Sequence, residues 1–183
     1  MTAAFLAMAL AALLQAGEGK MPAKGYARLE LPEAGAKCEV PAGWERSGGG
    51  ESDERERIFG AVLTAPRKQP GPAASLSVEY YAPDNAYFPS AALYLAHQGA
   101  APGAGKPAPA KVRGRKARRW TRATTEVFPP NMVTARAVEV KTETFLLEAA
   151  TGFYVLSLRA PSAEFPERRK AFQRLLDTFD GRR

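Results

Sequence analysis

Apolar positions along this chain follow two different periods, and the change from one to the other is clearest near the C-terminus. Between Gly152 and Pro161, Phe153 and Val155 occupy one parity while Tyr154, Leu156 and Leu158 occupy the other. A strand that is apolar on both faces is covered on both, so this pattern predicts a central strand and not an edge. After Pro161 the period lengthens: Phe165, Phe172, Leu175, Leu176 and Phe179 fall at helical spacing, with Arg168, Arg169, Lys170, Arg174 and Asp177 on the other side. Pro166 suits the first helical position, and Glu164 and Glu167 suit the positive end of the helix dipole. The prediction is an amphipathic helix over Pro166 to Thr178 that packs back onto the sheet. Burying its four large apolar residues would contribute roughly 6 to 12 kcal/mol, as an upper bound.

Upstream, period-two patterning predicts strands over Tyr26 to Leu31, Ala36 to Pro41, Ile58 to Ala65 and Ala74 to Ala82. Val133 to Glu148 reads as one long strand or a bent hairpin arm. A second helix is expected from Pro89 to His97, with Pro89 first, Gly99 as the stop, and either Leu93 with Ala96 or Ala92 with Leu95 as the buried pair. Arg46 to Arg57 reads as a polar connection. Three Gly and three Pro between Gly99 and Ala110 predict a surface loop with no regular element. The order of strands, helix, strands, helix indicates an α+β protein with an antiparallel sheet.

At 183 residues and 45% hydrophobic content, the chain is long enough for one full core and short for two. The expected organisation is a signal segment over residues 1–16, a flexible lead over 17–25 and a single domain over 26–180. Ala3 to Leu14 is an uncharged apolar run too short for a comfortable membrane span, which predicts a periplasmic or secreted protein cut after Ala16. A membrane-retained anchor and a disordered apolar tail are the competing readings. Once such a signal is cut, no stable membrane span is expected.

Charge placement says more than the net charge of +7. Lys111, Arg113, Arg115, Lys116, Arg118, Arg119 and Arg122 are seven cations in twelve residues with no acid among them, and they account for the whole excess. Strand alternation puts Lys111, Arg113 and Arg115 on one face, with Lys116, Arg118 and Arg122 sharing a face further on. Such a surface attracts anions over a Debye length of ~8 Å. Its partner would be a protein or an anionic envelope component, and nucleic acid is not expected for an exported chain. The competing reading is a solvated surface of cations paired across strands.

Conventional catalytic chemistry finds little support. One cysteine, Cys38, and one histidine, His97, exclude zinc sites built from these residues and any two-histidine metal motif. Cys38 has the parity of a buried hydrophobe, and His97 lies near the end of a helix with no nucleophile localised beside it. Gly99 to Lys106 departs from a phosphate loop in spacing, and Pro107 stands where Ser or Thr is required. Glu79, Glu139, Glu143 and Glu148 fall on predicted strands, where pairing with Arg or Lys is the ordinary role of an acid. Tyr80, Tyr81, Tyr87 and Phe88 are expected to pack as one aromatic cluster. No cofactor is expected and the chain does not read as an enzyme.

Three stretches resemble the PsbP-like family, whose fold is shared with a Ran-binding nuclear-import factor. They are Val40-Pro-Ala-Gly-Trp44, Gly114-Arg-Lys-Ala117, and Gly152 to Pro161 running on to Phe172-Gln-Arg-Leu-Leu-Asp-Thr-Phe179. The resemblance implies an α/β/α sandwich with a central antiparallel sheet of about six strands and helices on both faces. It also implies an exported or membrane-associated bacterial protein, with no catalytic residues carried over. The function expected is a non-enzymatic binding or accessory role toward an anionic partner through the 111–122 segment. The alternative is a chaperone or adaptor that shelters apolar segments of a secreted or membrane protein.

Overall fold

A computed structural model describes residues 22–47, 56–67, 71–130 and 133–182. The apolar run from Ala3 to Leu14 and the expected cut after Ala16 lie outside the described residues. At the centre stands β9 (Phe153–Pro161), hydrogen-bonded between β5 (Ser75–Tyr81) and β8 (Arg136–Glu148). Phe153 through Leu156 and Leu158 are all buried, as two-sided patterning requires. The sheet runs β3 (Glu45–Ser47), β4 (Ile58–Thr64), β5, β9, β8, β7 (Arg115–Phe128), β6 (Ala108–Val112), and each of its pairings is antiparallel. A second, three-stranded sheet joins β1 (Tyr26–Leu31), β2 (Ala36–Pro41) and β10 (Asp180–Gly181). The class is α+β, but the expected six-stranded sheet is replaced by seven strands plus a separate sheet of three. The amino-terminal strands pair with the carboxy-terminal tail and not with the main sheet.

The two parities of β9 feed two apolar clusters. Tyr154, Leu156 and Leu158 pack with Leu76, Val78, Cys38, Val40 and with Phe172, Leu175 and Leu176 of α2 (Phe165–Thr178). Phe153 and Val155 pack with Tyr81, Leu146, Trp120 and with Tyr94 of α1 (Ala91–Gly99). Helix α2 matches its predicted span to within one residue, with Pro166 in its first turn. Helix α1 differs from expectation. Its first helical residue is Ala91, not Pro89, and Ser90 is the N-cap, accepting from the Leu93 amide at 3.3 Å. Tyr94 is its buried residue, Leu93 is 53% exposed with Ala96 exposed beside it, and of the second expected pair only Leu95 packs on the sheet, Ala92 being exposed. An aromatic ring simply covers more of the sheet than two alanine-and-leucine contacts would.

Two turns set the geometry that follows. Gly152 links β8 to β9 at φ +72°, and a Cβ there would stand 2.1 Å from the Tyr81 carbonyl oxygen. Arg113 and Gly114, with φ 48° and 79°, form the two-residue turn between β6 and β7. The stretch expected to lack regular structure therefore ends in a strand at Ala108, and Pro109 is tolerated there because β6 is an edge. Trp44 packs against the larger cluster, with the Arg168 guanidinium 5.8 Å from its ring centroid.

Candidate functional site

Because the chain reverses at Arg113-Gly114, the seven cations are sorted by cross-strand register and not by a single alternation. Lys111 stands opposite Lys116, and Val112 opposite Arg115. Lys116, Arg118, Trp120 and Arg122 share one side of β7, the side on which Trp120 meets Tyr94 of α1 at 6.3 Å between ring centroids. Lys111 joins them through its pairing with Lys116. Arg115 and Arg119 project to the other side. The expected grouping of Lys111 with Arg113 and Arg115 is therefore incorrect, because it assumed a strand that continues through the turn.

The cations on the α2 side serve the fold. Arg113 donates to the Phe179 carbonyl at 3.3 Å, and Arg115 donates to the carbonyls of Glu148, Arg182 and Gly181 at 2.9, 3.2 and 3.4 Å. These bonds close the hairpin onto β10. Arg119 reaches Glu143 at 2.5 Å, and Arg169 of α2 reaches the same carboxylate at 2.9 Å. Glu143 is 1% exposed, so two guanidinium groups share the only charge on this part of the α2-facing side that is fully withdrawn from water among the described residues. Its hydrogen bond and field raise the Arg169 pKa. Arg122, on the α1 side, donates to the Pro102 carbonyl at 3.1 Å.

Lys111, Lys116 and Arg118 remain. All three are exposed, and none of their side chains forms a hydrogen bond or ion pair with another described residue. They rim a cavity of about 400 Å³ whose other walls include Pro109, Leu146 and Glu148. Glu148 is the one acid of this rim, and Leu146 gives it an apolar floor shared with the α1 cluster. Neither was singled out in the sequence as part of a site; only the β7–β8 register, which sets Arg118 opposite Leu146, brings them there.

Cavities elsewhere hold cations that are already engaged. One of about 510 Å³ contains Lys37, paired with Asp180 at 3.5 Å, and Arg182, which donates to the Glu33 carbonyl at 3.0 Å. Another of about 430 Å³ contains Arg57, paired with Asp84 at 3.1 Å. Paired cations offer less to an incoming anion than unpaired ones.

The remaining candidates resolve into packing. Cys38 is buried, and burial, with the charge of Glu39 beside it, pushes its thiol up to about 12. The His97 ring lies 5.3 Å from that of Phe88. The expected aromatic cluster divides: Tyr81 and Phe88 join Tyr94, Tyr80 points to the α2 side against Tyr154, and Tyr87 is exposed and donates to Glu56. Burial raises the Glu79 pKa, but it stands among tyrosines and not beside a second carboxylate. Among the described residues no three His, Cys, Asp or Glu gather where they could hold a metal, and no helix is long and apolar enough to cross a membrane.

Solved structures place the architecture. The chain superposes on cyanobacterial PsbP (CyanoP) of Synechocystis sp. PCC 6803 with a TM-score of 0.53 at 10% identity, over 89% of this chain and 96% of that one. The fold is PsbP-like. A Pseudomonas aeruginosa protein of unknown function, PA94, described as a putative regulator, gives 0.50 at 18% identity, over 86% and 98% of the two chains. Ran-binding protein Mog1p of Saccharomyces cerevisiae is a more distant match, at 0.47 and 14% identity over 85% of this chain and 95% of its own. The chain spans 48% of the length of a Bacteroides thetaiotaomicron structure that it matches at 0.49 and 11% identity, covering 85% of this chain. No family model and no curated protein matches the sequence.

Proposed function

We propose that this protein is an exported, non-enzymatic binding or accessory module that engages an anionic partner through Lys111, Lys116 and Arg118. The observation that carries this reading is the contrast within one basic segment. Four of its seven cations are held by carbonyls or by Glu143, while these three surround an open cavity with no side-chain partner among the described residues. A cation with no internal partner retains its full field for a ligand, and three on one rim sum their attraction. The PsbP-like fold supports an accessory role by analogy alone.

The test is recovery of partners from an envelope extract at low and high salt. Lys111→Glu, Lys116→Glu and Arg118→Glu together should abolish salt-sensitive recovery and leave thermal unfolding nearly unchanged, because surface substitutions away from packed features stay within about 0.5 kcal/mol. Partner recovery identical to that of the parent chain would refute the site. Salt-insensitive recovery of an apolar helix would support a sheltering adaptor instead. Cell fractionation with N-terminal sequencing tests export, and an intact Met1 terminus in the cytosol would overturn it.

A further inference from the structure

We infer that the anionic partner is a membrane surface bearing acidic phospholipids, met by one side of the molecule on which α1 and the three unpaired cations lie together. This rests on the site proposed above and narrows its partner to a lipid interface.

The first observation is the composition and exposure of α1. Its nine residues, Ala91-Ala-Leu-Tyr-Leu-Ala-His-Gln-Gly99, contain no Asp, Glu, Lys or Arg. Tyr94 turns inward, while Ala92, Leu93 and Ala96 are exposed, with His97 as the one polar side chain exposed beside them. A helix without Lys, Glu or Arg on its solvent side is poorly suited to permanent hydration, and Leu93 projects from it at 53% exposure.

The second observation is register. Tyr94 sits on the side of the sheet that carries Leu146 and Trp120, and the same side of β7 carries Lys116 and Arg118, with Lys111 alongside. A mostly apolar exposed helix face and a net positive rim therefore look out in one direction. Opposite charge selects the occupant: lipid headgroups present many phosphates in a plane, so separated cations bind at once while Leu93 enters the headgroup boundary. A small soluble anion would meet the rim and leave α1 untouched. Glu148 on the rim opposes this attraction, but one acid stands against three cations.

The experiment is sedimentation of the full chain with phosphatidylcholine vesicles made with or without phosphatidylglycerol. Binding to neutral vesicles measures whatever the N-terminal apolar run contributes, and the gain from phosphatidylglycerol isolates the proposed surface. That gain should be present for the parent chain and fade with salt. It should fall roughly a hundredfold or more in the triple Glu variant, at about fivefold per basic residue lost and more from the repulsion of the new carboxylates, and roughly tenfold in Leu93→Asp. Unchanged partitioning of the triple variant, or a gain indifferent to Leu93→Asp, would overturn the lipid assignment. If the triple variant loses salt-sensitive partners from the extract yet binds phosphatidylglycerol like the parent, the cationic site stands and the partner is an acidic protein. If neither measurement responds, both readings fall together.

Discussion

The two sides of the β6–β7 hairpin are built from the same residue types, drawn from the same twelve-residue stretch, and they do opposite things. On the α2 side, Arg115 and Arg119 meet carbonyls and a buried carboxylate and become part of the scaffold. On the α1 side, Arg122 donates to the Pro102 carbonyl, but the Lys111, Lys116 and Arg118 side chains meet no acceptor among the described residues and keep their charge for solvent or a partner. Arg113, at the turn, sides with the scaffold through Phe179. A cluster of cations is thus not one functional feature. What separates a structural arginine from an available one is whether the fold places an acceptor within hydrogen-bonding distance.

The strongest way to break this comparison is to remove the partners of Glu143. In Arg119→Ala/Arg169→Ala, a carboxylate that is 1% exposed is left without a counter-charge. The unfolding free energy read by urea denaturation should fall by about 3 to 5 kcal/mol. Adding Glu143→Leu to that background should restore much of it, because the cost lies in the stranded charge. A loss below about 1 kcal/mol in the double variant would mean that Glu143 is not buried as described.

A smaller effect is expected from Arg115→Ala, which frees two carbonyls at the C-terminal end, of Gly181 and Arg182, and that of Glu148 at the end of β8. Charge-assisted bonds of this kind contribute about 1.5 to 3 kcal/mol in total when geometry is good. Hydrogen exchange should accelerate first at Gly181 and Arg182, whose strand the hairpin holds, before it does so in β9. Acceleration spread evenly over the sheet would contradict a local latch.

The smallest effect is a pH dependence at the join between α2 and β2. Burial works against the charge of Glu39, but hydrogen bonds from Arg174, at 2.8 Å, and from the Ala23 amide outweigh it, and with the fields of Arg174 and Arg28 they lower its pKa. A carboxylate whose folded pKa is depressed contributes stability above its unfolded pKa, and that contribution is lost as pH falls through the folded value. Glu39→Gln should therefore flatten the acid limb of a stability-versus-pH curve and leave its slope near neutrality unchanged. A variant whose acid limb matches the parent's would remove Glu39 from the list of acid-sensitive contacts.

Much of the fold was legible because hydrophobic period survives without any knowledge of partners. Residues Phe153 to Leu158 announce burial on both sides, and Phe172, Leu175 and Leu176 announce one helical face. The aromatic that anchors α1 was less legible, because in a helix with no charged residue the apolar positions surround the axis and mark no single face. The pairing of Ala36 and Lys37 with Gly181 and Asp180 was not legible at all, since nothing local specifies a partner strand so distant in sequence. The Arg113-Gly114 turn left a faint signal in its glycine, yet Arg is not the Asn or Asp that such turns favour, so the segment read as one or two strands with the place of a turn not fixed.

Sequence alone determined that there is a central strand, an amphipathic C-terminal helix and a concentration of positive charge in residues 111–122. Tertiary structure decided which of those charges remain available. Alternation along a strand is a local property, set by the geometry of consecutive Cβ atoms. The acceptors that hold Arg113, Arg115 and Arg119 arrive from Phe179, Gly181 and Glu143, brought near only when the chain has closed on itself.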